Sequence, residues 1–197
     1  MIRELNHPFT AERIADLKVG EKVLLSGPIF TGRDRFHRYL FEGGKCSVAL
    51  EDGAVFHCGP VVVRENGAWV VRAAGPTTSM RQEPYMARLI EQCRVRVIIG
   101  KGGMGEATRR ACAAFGCVYL HAVGGAASVI AERIEKVVNV HFLREFGSAE
   151  AVWEMVAKGL EAVVTIDAHG HSVHEKIWTA AKHALGKILK QSRPMAV

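Results

Sequence analysis

Residues 95–120 read VRVIIGKGGMGEATRRACAAFGCVYL, and the order of textures within them decides the fold class. Val95–Ile99 is a short apolar run of the kind that forms a buried strand. A glycine-punctuated segment, Gly100 to Gly105, interrupts it. Glu106–Phe115 then has the composition of a helix, with Gly116 as its C-cap, and Val118–Leu120 is apolar again. Strand, helix and strand in so short a span form a unit of parallel pairing.

Working outward, Glu83–Cys93 is a second helix, with Tyr85, Met86, Leu89 and Ile90 on one side and Pro84 in its first turn. Farther upstream, from Val19 to Gly75, strands and turns dominate. Lys22–Ile29 is a strand candidate interrupted by Gly27-Pro28, and Val55–Arg64 and Trp69–Ala73 are further candidates. Asn66-Gly67 between the last two is a strong hairpin signal. Downstream, Ala126–Ile134 reads as a helix, Val137–Phe142 and Ala162–Asp167 as strands, and His174–Lys190 as an amphipathic final helix. The expectation is an α/β fold: one domain over residues 1–197, with a mixed β-sheet and flanking helices.

Bulk composition narrows the function classes. Of 197 residues, 49% are hydrophobic and 23% charged, enough for a real core and against global disorder. The net charge of +6 suits an anionic substrate, a nucleic acid or an acidic partner. Lys and Arg form no long run, and aromatic residues are not interleaved with them, so no nucleic-acid partner is expected. Residues 1–10 lack the apolar core of a signal peptide, and no apolar run approaches the roughly 20 residues of a membrane helix. The expectation is a cytoplasmic chain without a membrane partner. The five cysteines, at 46, 58, 93, 112 and 117, include no CxxC pair. They suggest neither a disulfide framework nor a compact metal site.

Three loops carry the candidate chemistry. Thr31-Gly32-Arg33-Asp34, followed by His37, comes after a strand end. Arg33 offers a planar fork suited to a carboxylate, and Asp34 could orient it or cap the next helix. The plainer reading is a capped turn with exposed charges. Gly75-Pro76-Thr77-Thr78-Ser79-Met80-Arg81 sets three hydroxyls before a helix. They either cap that helix or line an anion pocket with Arg81. Gly100-Lys101-Gly102-Gly103-Met104-Gly105 could turn backbone N–H groups toward an anion beside the Lys101 charge. It is not a Walker A loop, because the lysine precedes the last glycine and no Ser or Thr follows. If the loops converge, Arg33, Arg81 and Lys101 would hold a dicarboxylate. Thr77 would then sit among cations, as a hydroxyl base requires.

These segments, with FHCGP (56–60) and VTIDAHG (164–170), resemble in order and spacing the β subunit of iron–sulfur L-tartrate dehydratase and the C-terminal domain of class I fumarate hydratases. The resemblance runs from about Leu17 to about Ser172. It implies a swivelling β/β/α domain and reversible hydration of a four-carbon dicarboxylic acid. It also implies a four-iron four-sulfur (4Fe-4S) cluster ligated by a partner α subunit rather than by this chain, in an α2β2 assembly. Matched by motif, Arg33, Arg81 and Lys101 resemble the substrate-carboxylate residues, Thr77 the proton-transferring threonine and Thr78 its neighbour. Asp34, His37, Gly100 and Gly102 match supporting positions. Gln82, Cys58 and His171 depart from the family pattern, which has Met, a small residue and Asn there. Fumarate/L-malate is the first expectation for the substrate and L(+)-tartrate the alternative. A phosphate- or nucleotide-binding protein using the GKGGMG loop is the reading from a different class.

Overall fold

The structure, a computed structural model, describes residues 2–45 and 47–191. In chain order the elements are β1 (Ile2–Asn6), α1 (Ala11–Ala15), β2 (Lys22–Thr31), α2 (Asp34–Phe41), β3 (Ala54–Phe56), β4 (Val61–Glu65), β5 (Ala68–Ala73), a 3-10 turn (Ser79–Gln82), α3 (Glu83–Cys93), β6 (Val97–Gly100), α4 (Glu106–Phe115), β7 (Val118–His121), α5 (Ala127–Ala131), β8 (Ile134–His141), α6 (Leu143–Phe146), β9 (Val152–Ile166) and α7 (Val173–Gln191). The mixed sheet with flanking helices expected from the sequence is present.

The main sheet has the order β1-β2-β3-β6-β7-β9-β8. The neighbours from β1 to β7 are parallel, whereas β9 runs antiparallel to β2, β7 and β8. Because β9 bonds to both β7 and β2, the strands β2, β3, β6, β7 and β9 close into a ring, which removes exposed edges among them. The parallel strands are apolar on both faces, as strands covered on both sides must be. Ala54, Phe56, Val97, Ile99, Val118 and Leu120 meet in one buried cluster with Met155, Leu160 and Val164 of β9. The alternate residues Val55, Ile98 and Tyr119 pack in a second cluster with Phe36 of α2, Met86 and Ile90 of α3, and Cys112 of α4.

Several expected boundaries move. Val55–Arg64 is not one strand: it breaks at residues 57–60, so that β3 joins the main sheet and β4 pairs only with β5. The break frees residues 57–60 for the site described below. The β4–β5 hairpin turns at Asn66 (φ 49°) and Gly67 (φ 82°), the two positive values a primed turn needs. The helix expected over Ala126–Ile134 ends at Ala131, and β8 starts at Ile134. The strand expected at Ala162 begins ten residues earlier. β9 carries Glu, Met, Ala, Lys and Leu, which are helix formers by propensity, but its many ladder partners override that preference. β1 was not anticipated. Its alternation is short and mixed with charge, and parallel pairing with β2 holds it in place. Among the described residues, no helix is long and apolar enough to cross a membrane.

Candidate active site

The parallel strands β2, β3, β6 and β7 end on the same side, and each hands the chain to a glycine-bearing loop. In open parallel sheets the carboxyl ends of strands are where ligands bind. Gly32–Asp34 follows β2, His57–Pro60 follows β3, Lys101–Gly105 follows β6, and Ala122–Ala126 follows β7. The expected convergence of loops is thus built into the topology.

The Thr77–Ser79 segment is held between two of these loops by backbone bonds. Thr77 donates its N–H to the His57 carbonyl at 2.7 Å, and Ser79 donates its N–H to the Lys101 carbonyl at 2.9 Å. A parallel bridge pairs Thr78 with Lys101, and an antiparallel one pairs Cys58 with Pro76. Thr77 is half-buried and Thr78 exposed. Neither hydroxyl caps α3 or the 3-10 turn, so the helix-cap reading of these residues does not hold. Gly100 permits the closeness: a Cβ there would overlap Ser79 Oγ and stand 3.1 Å from the Tyr119 hydroxyl. Gly102 has φ +80°, a left-handed turn that exposes the loop backbone.

The three cations are held differently. Arg81 Nη2 lies 3.1 Å from Asp34 Oδ2, which ties the 3-10 turn to the loop after β2. Arg33 pairs instead with Glu150 at 3.3 Å and donates Nη1 to the Ala149 carbonyl at 3.4 Å. Asp34 is therefore the partner of Arg81, not of Arg33, and it begins α2 without capping it. Lys101 makes no ion pair among the described residues; its Cδ lies near Gly124 of the loop after β7.

Behind these loops lies a buried polar network. His37 Nδ1 is 2.9 Å from Gln82 Oε1, and Gln82 Nε2 donates to Asp34 Oδ1 at 2.8 Å. His57 Nδ1 is 2.9 Å from Ser79 Oγ, to which the Tyr119 hydroxyl donates at 2.9 Å. His37, His57, Ser79 and Gln82 are all at most 1% exposed. Burial pulls the His37 pKa down to about 4, despite the opposing effects of Gln82 and Asp34, so the ring is neutral near pH 7. Burial, then neighbouring His37, lowers His57 well below its ordinary range. Burial raises Tyr119 to about 12. Sequence reading took Ser79 only as one of three hydroxyls and left Tyr119 unremarked within an apolar strand. A polar group in the middle of an otherwise apolar strand end was the available signal.

The N-terminus of α4, where the glycine loop ends, is already occupied. Glu83 accepts the Gly105 N–H at 2.7 Å, the Thr108 N–H at 3.2 Å and the Thr108 hydroxyl at 2.6 Å. The helix's own anion is thus in place. On the open side, Gly103 lies against the His174 ring, and Met80 and Met104 line a groove of about 630 Å³ with Ile177 and Trp178.

A four-iron four-sulfur cluster does not fit the buried thiols among the described residues. Cys58, Cys112 and Cys117 are buried, and burial lifts the Cys58 thiol to about 12 and raises Cys117 well above its ordinary value. Thiolates are what a cluster needs. Among the described residues, no group of three or more His, Cys, Asp or Glu is placed to hold a metal ion.

Comparison with known proteins agrees with the motifs. Residues 2–177 match the family profile described as fumarase C-terminus. The chain is 46% identical over 192 residues to a protein named as a class I fumarate hydratase from Geobacillus stearothermophilus, covering 97% of this chain but 36% of that protein. It is 36% identical over 173 residues to a protein named as an L(+)-tartrate dehydratase β subunit from Methanocaldococcus jannaschii, covering 85% and 89% of the two chains. To the protein of that subunit name in Escherichia coli it is 35% identical over 175 residues, covering 88% and 87%. The relatives so named are hydro-lyases, and the chain belongs to the fumarase C-terminus family.

Proposed function

We propose that this chain is the β subunit of a two-subunit iron–sulfur hydro-lyase that adds water to, or removes it from, a four-carbon dicarboxylate, with fumarate/L-malate as the first candidate pair. The observation that carries the reading is the clamp on Thr77–Ser79. Backbone bonds hold this segment between the His57 and Lys101 loops, beside Arg81. Lys101 and Arg81 bind the substrate carboxylates. Thr77, half-buried in the clamped segment, moves the proton, with positive charge from Lys101 and Arg81 to stabilise its alkoxide. Thr78 supports Thr77 through its bridge to Lys101. Arg33, held by Glu150, is a second carboxylate contact only if that pair opens. The four-iron four-sulfur cluster belongs to the α subunit, which also supplies the rest of the pocket, in an α2β2 assembly.

Two observations weigh on the alternatives. The Glu83 carboxylate at the start of α4 takes the N–H groups that a phosphate would need, which disfavours a nucleotide site on the GKGGMG loop. The chain spans 87–89% of the relatives named as tartrate dehydratase β subunits but only 36% of the one named as a fumarate hydratase. L(+)-tartrate is the second reading, because two of these relatives carry the name L(+)-tartrate dehydratase subunit β. The test is to co-express the chain with an α subunit, purify the complex without oxygen and assay water loss from L-malate and L-tartrate. Activity on one acid, absent from the isolated chain, is expected. Turnover by the isolated chain, or none by a complex with intact cluster, would refute the reading.

A further inference from the structure

We propose that the apolar stripe of α7, with the groove at its base, is the surface on which the cluster-bearing α subunit docks. The inference deepens the hydro-lyase reading and rests on it, because it names where the second subunit sits.

α7 is anchored at its first turn. The His174 ring lies so close to Gly103 that a Cβ there would overlap it. Arg109 of α4 donates to the Gly170 carbonyl at 2.8 Å and lies 3.4 Å from the Glu175 carboxylate. From Glu175 to Ile188 every residue is exposed. The helix is nevertheless not polar all round. Ile177, Trp178, Ala181, Leu185 and Ile188 fall within an arc of about 100° at helical spacing. His174 falls in the same arc, so the face that presses on the glycine loop continues outward as an open apolar stripe. A helix draws most of its stability from packing such a face. Gly186, with nothing around its Cα side, weakens this one further. The stripe is built for a second body.

Position, charge, shape and chain length together identify that body. Ile177, Trp178 and Ala181 line the groove with Met80 and Met104. Met80 adjoins Arg81, and Met104 lies in the glycine loop, so whatever seats on the stripe also closes the mouth of the site. Among the described residues no group can hold a metal ion, so the chain that carries the cluster must come to this mouth. Lys176, Lys182 and Lys187 flank the stripe, and the one acid, Glu175, already faces Arg109. Two copies of α7 would bring like charges together, whereas an apolar groove rimmed by carboxylates would complement them. Ile177 beside Trp178 also makes the stripe wider than the two-position seam of a paired coil, which suits a helix laid in a groove. The relative named as a class I fumarate hydratase aligns with 97% of this chain, and so with nearly all of α7. This chain matches only 36% of that protein. The relative thus carries a larger second part in the same chain, and here another chain supplies it.

The test titrates the full chain and its variants with the α subunit under nitrogen. Trp178→Glu and Leu185→Glu each place a charge on the stripe at a site already exposed in the free chain. Each should raise the Kd for the α subunit at least about 30-fold. The melting midpoint of the isolated chain should stay within about 2 °C, which separates lost docking from lost folding. Trp178→Phe should keep most of the affinity. Lys182→Glu should weaken binding less, and the effect should shrink as salt is added. If both Glu variants bind like wild type, the docking surface is overturned while the two-subunit reading stands. If wild type itself does not bind the α subunit, the two-subunit reading fails, and the docking assignment with it. Sedimentation of the isolated chain should show a monomer; a dimer split by Leu185→Glu would assign the stripe to a second copy. Flotation with phosphatidylcholine–phosphatidylglycerol vesicles should leave the chain unbound. Binding that Leu185→Glu abolishes would assign the stripe to a membrane surface, and either result would overturn the proposal.

Discussion

Lys101 differs from the other two cations of the site in a way that separates their mutants. Arg81 and Arg33 already face carboxylates, Asp34 and Glu150. Lys101 has no such pair among the described residues, so its charge is free for a ligand. A charge-assisted hydrogen bond is worth about 1.5–3 kcal/mol. Lys101→Ala should therefore raise KM for the dicarboxylate by about 10- to 100-fold in the assembled enzyme. Arg33→Ala should raise it several-fold less, because the wild-type enzyme must first break the Glu150 pair. Equal effects would place Arg33 in direct contact with substrate. Under the proposed proton-transfer role, Thr77→Val should act on kcat rather than KM; near-normal turnover would remove Thr77 from that role. Burial sets the other residue-scale effect. His37 and His57 are neutral in the fold, while in the unfolded chain they protonate near pH 6.5. As pH falls below that value, the unfolded state binds protons that the native state refuses, and stability drops. For His37 the loss continues down to about pH 4. Each imidazole contributes up to about 1.4 kcal/mol per pH unit. Urea melts at pH 7.0, 6.0 and 5.0 should show this loss before the carboxylates titrate. A flat profile over that window would mean that the two rings are hydrated in solution.

At the scale of elements, the sequence was most legible where two signals agreed. α4 ran as expected from Glu106 to Phe115, because an apolar strand preceded it and a glycine in the left-handed region (φ 69°) ended it. The Asn66-Gly67 hairpin was equally clear. β9 was not, because its sequence favours a helix locally and only pairing with β2, β7 and β8 makes it a strand. The convergence of the candidate loops was legible only as a conditional; the strand order sets the ends of β2, β3, β6 and β7 on one side. The link from Asp34 to Arg81 was not legible: it spans two loops far apart in sequence, and only the fold brings them together. The same holds for Glu83. It looks like an ordinary first-turn acid of α3, yet its carboxylate caps α4 from a neighbouring helix. Gly105 caps α4 in sequence but has no side chain to do so. Glu83→Gln keeps the size and removes the charge that faces the helix dipole. It should destabilise the chain by about 1–2 kcal/mol. A thermal midpoint within about 1 °C of wild type would show that the carboxylate is dispensable there.

At the scale of the molecule, the two ends of the described chain stand in opposite relation to the core. β1 adds a parallel strand to β2, and Leu5 within it and Phe9 just beyond it are buried at 3% and 0% exposure. α7 is the converse. Ile177, Trp178, Leu185 and Ile188 are all more than half exposed, at 60%, 63%, 55% and 59%. A helix that buries so little apolar surface adds little to stability, since stabilisation follows area removed from water at about 25 cal/mol per Å². Removing residues 182–197 should therefore shift the thermal midpoint of the isolated chain by less than about 2 °C, given 2–4 °C per kcal/mol for a domain of this size. Removing residues 2–9 takes away a ladder and two core side chains. At about 1.5–3 kcal/mol for each buried side chain, it should lower the midpoint by at least about 6 °C. The comparison needs only the purified chain and its two truncations in a melting experiment. A large loss from the C-terminal truncation would mean that the second half of α7 packs onto the domain in solution. A loss confined to the N-terminal truncation would show that the ring of strands and its helices are stable without the second half of α7. The groove, which borders the Thr77 and GKGGMG segments, would then stay open in the isolated chain.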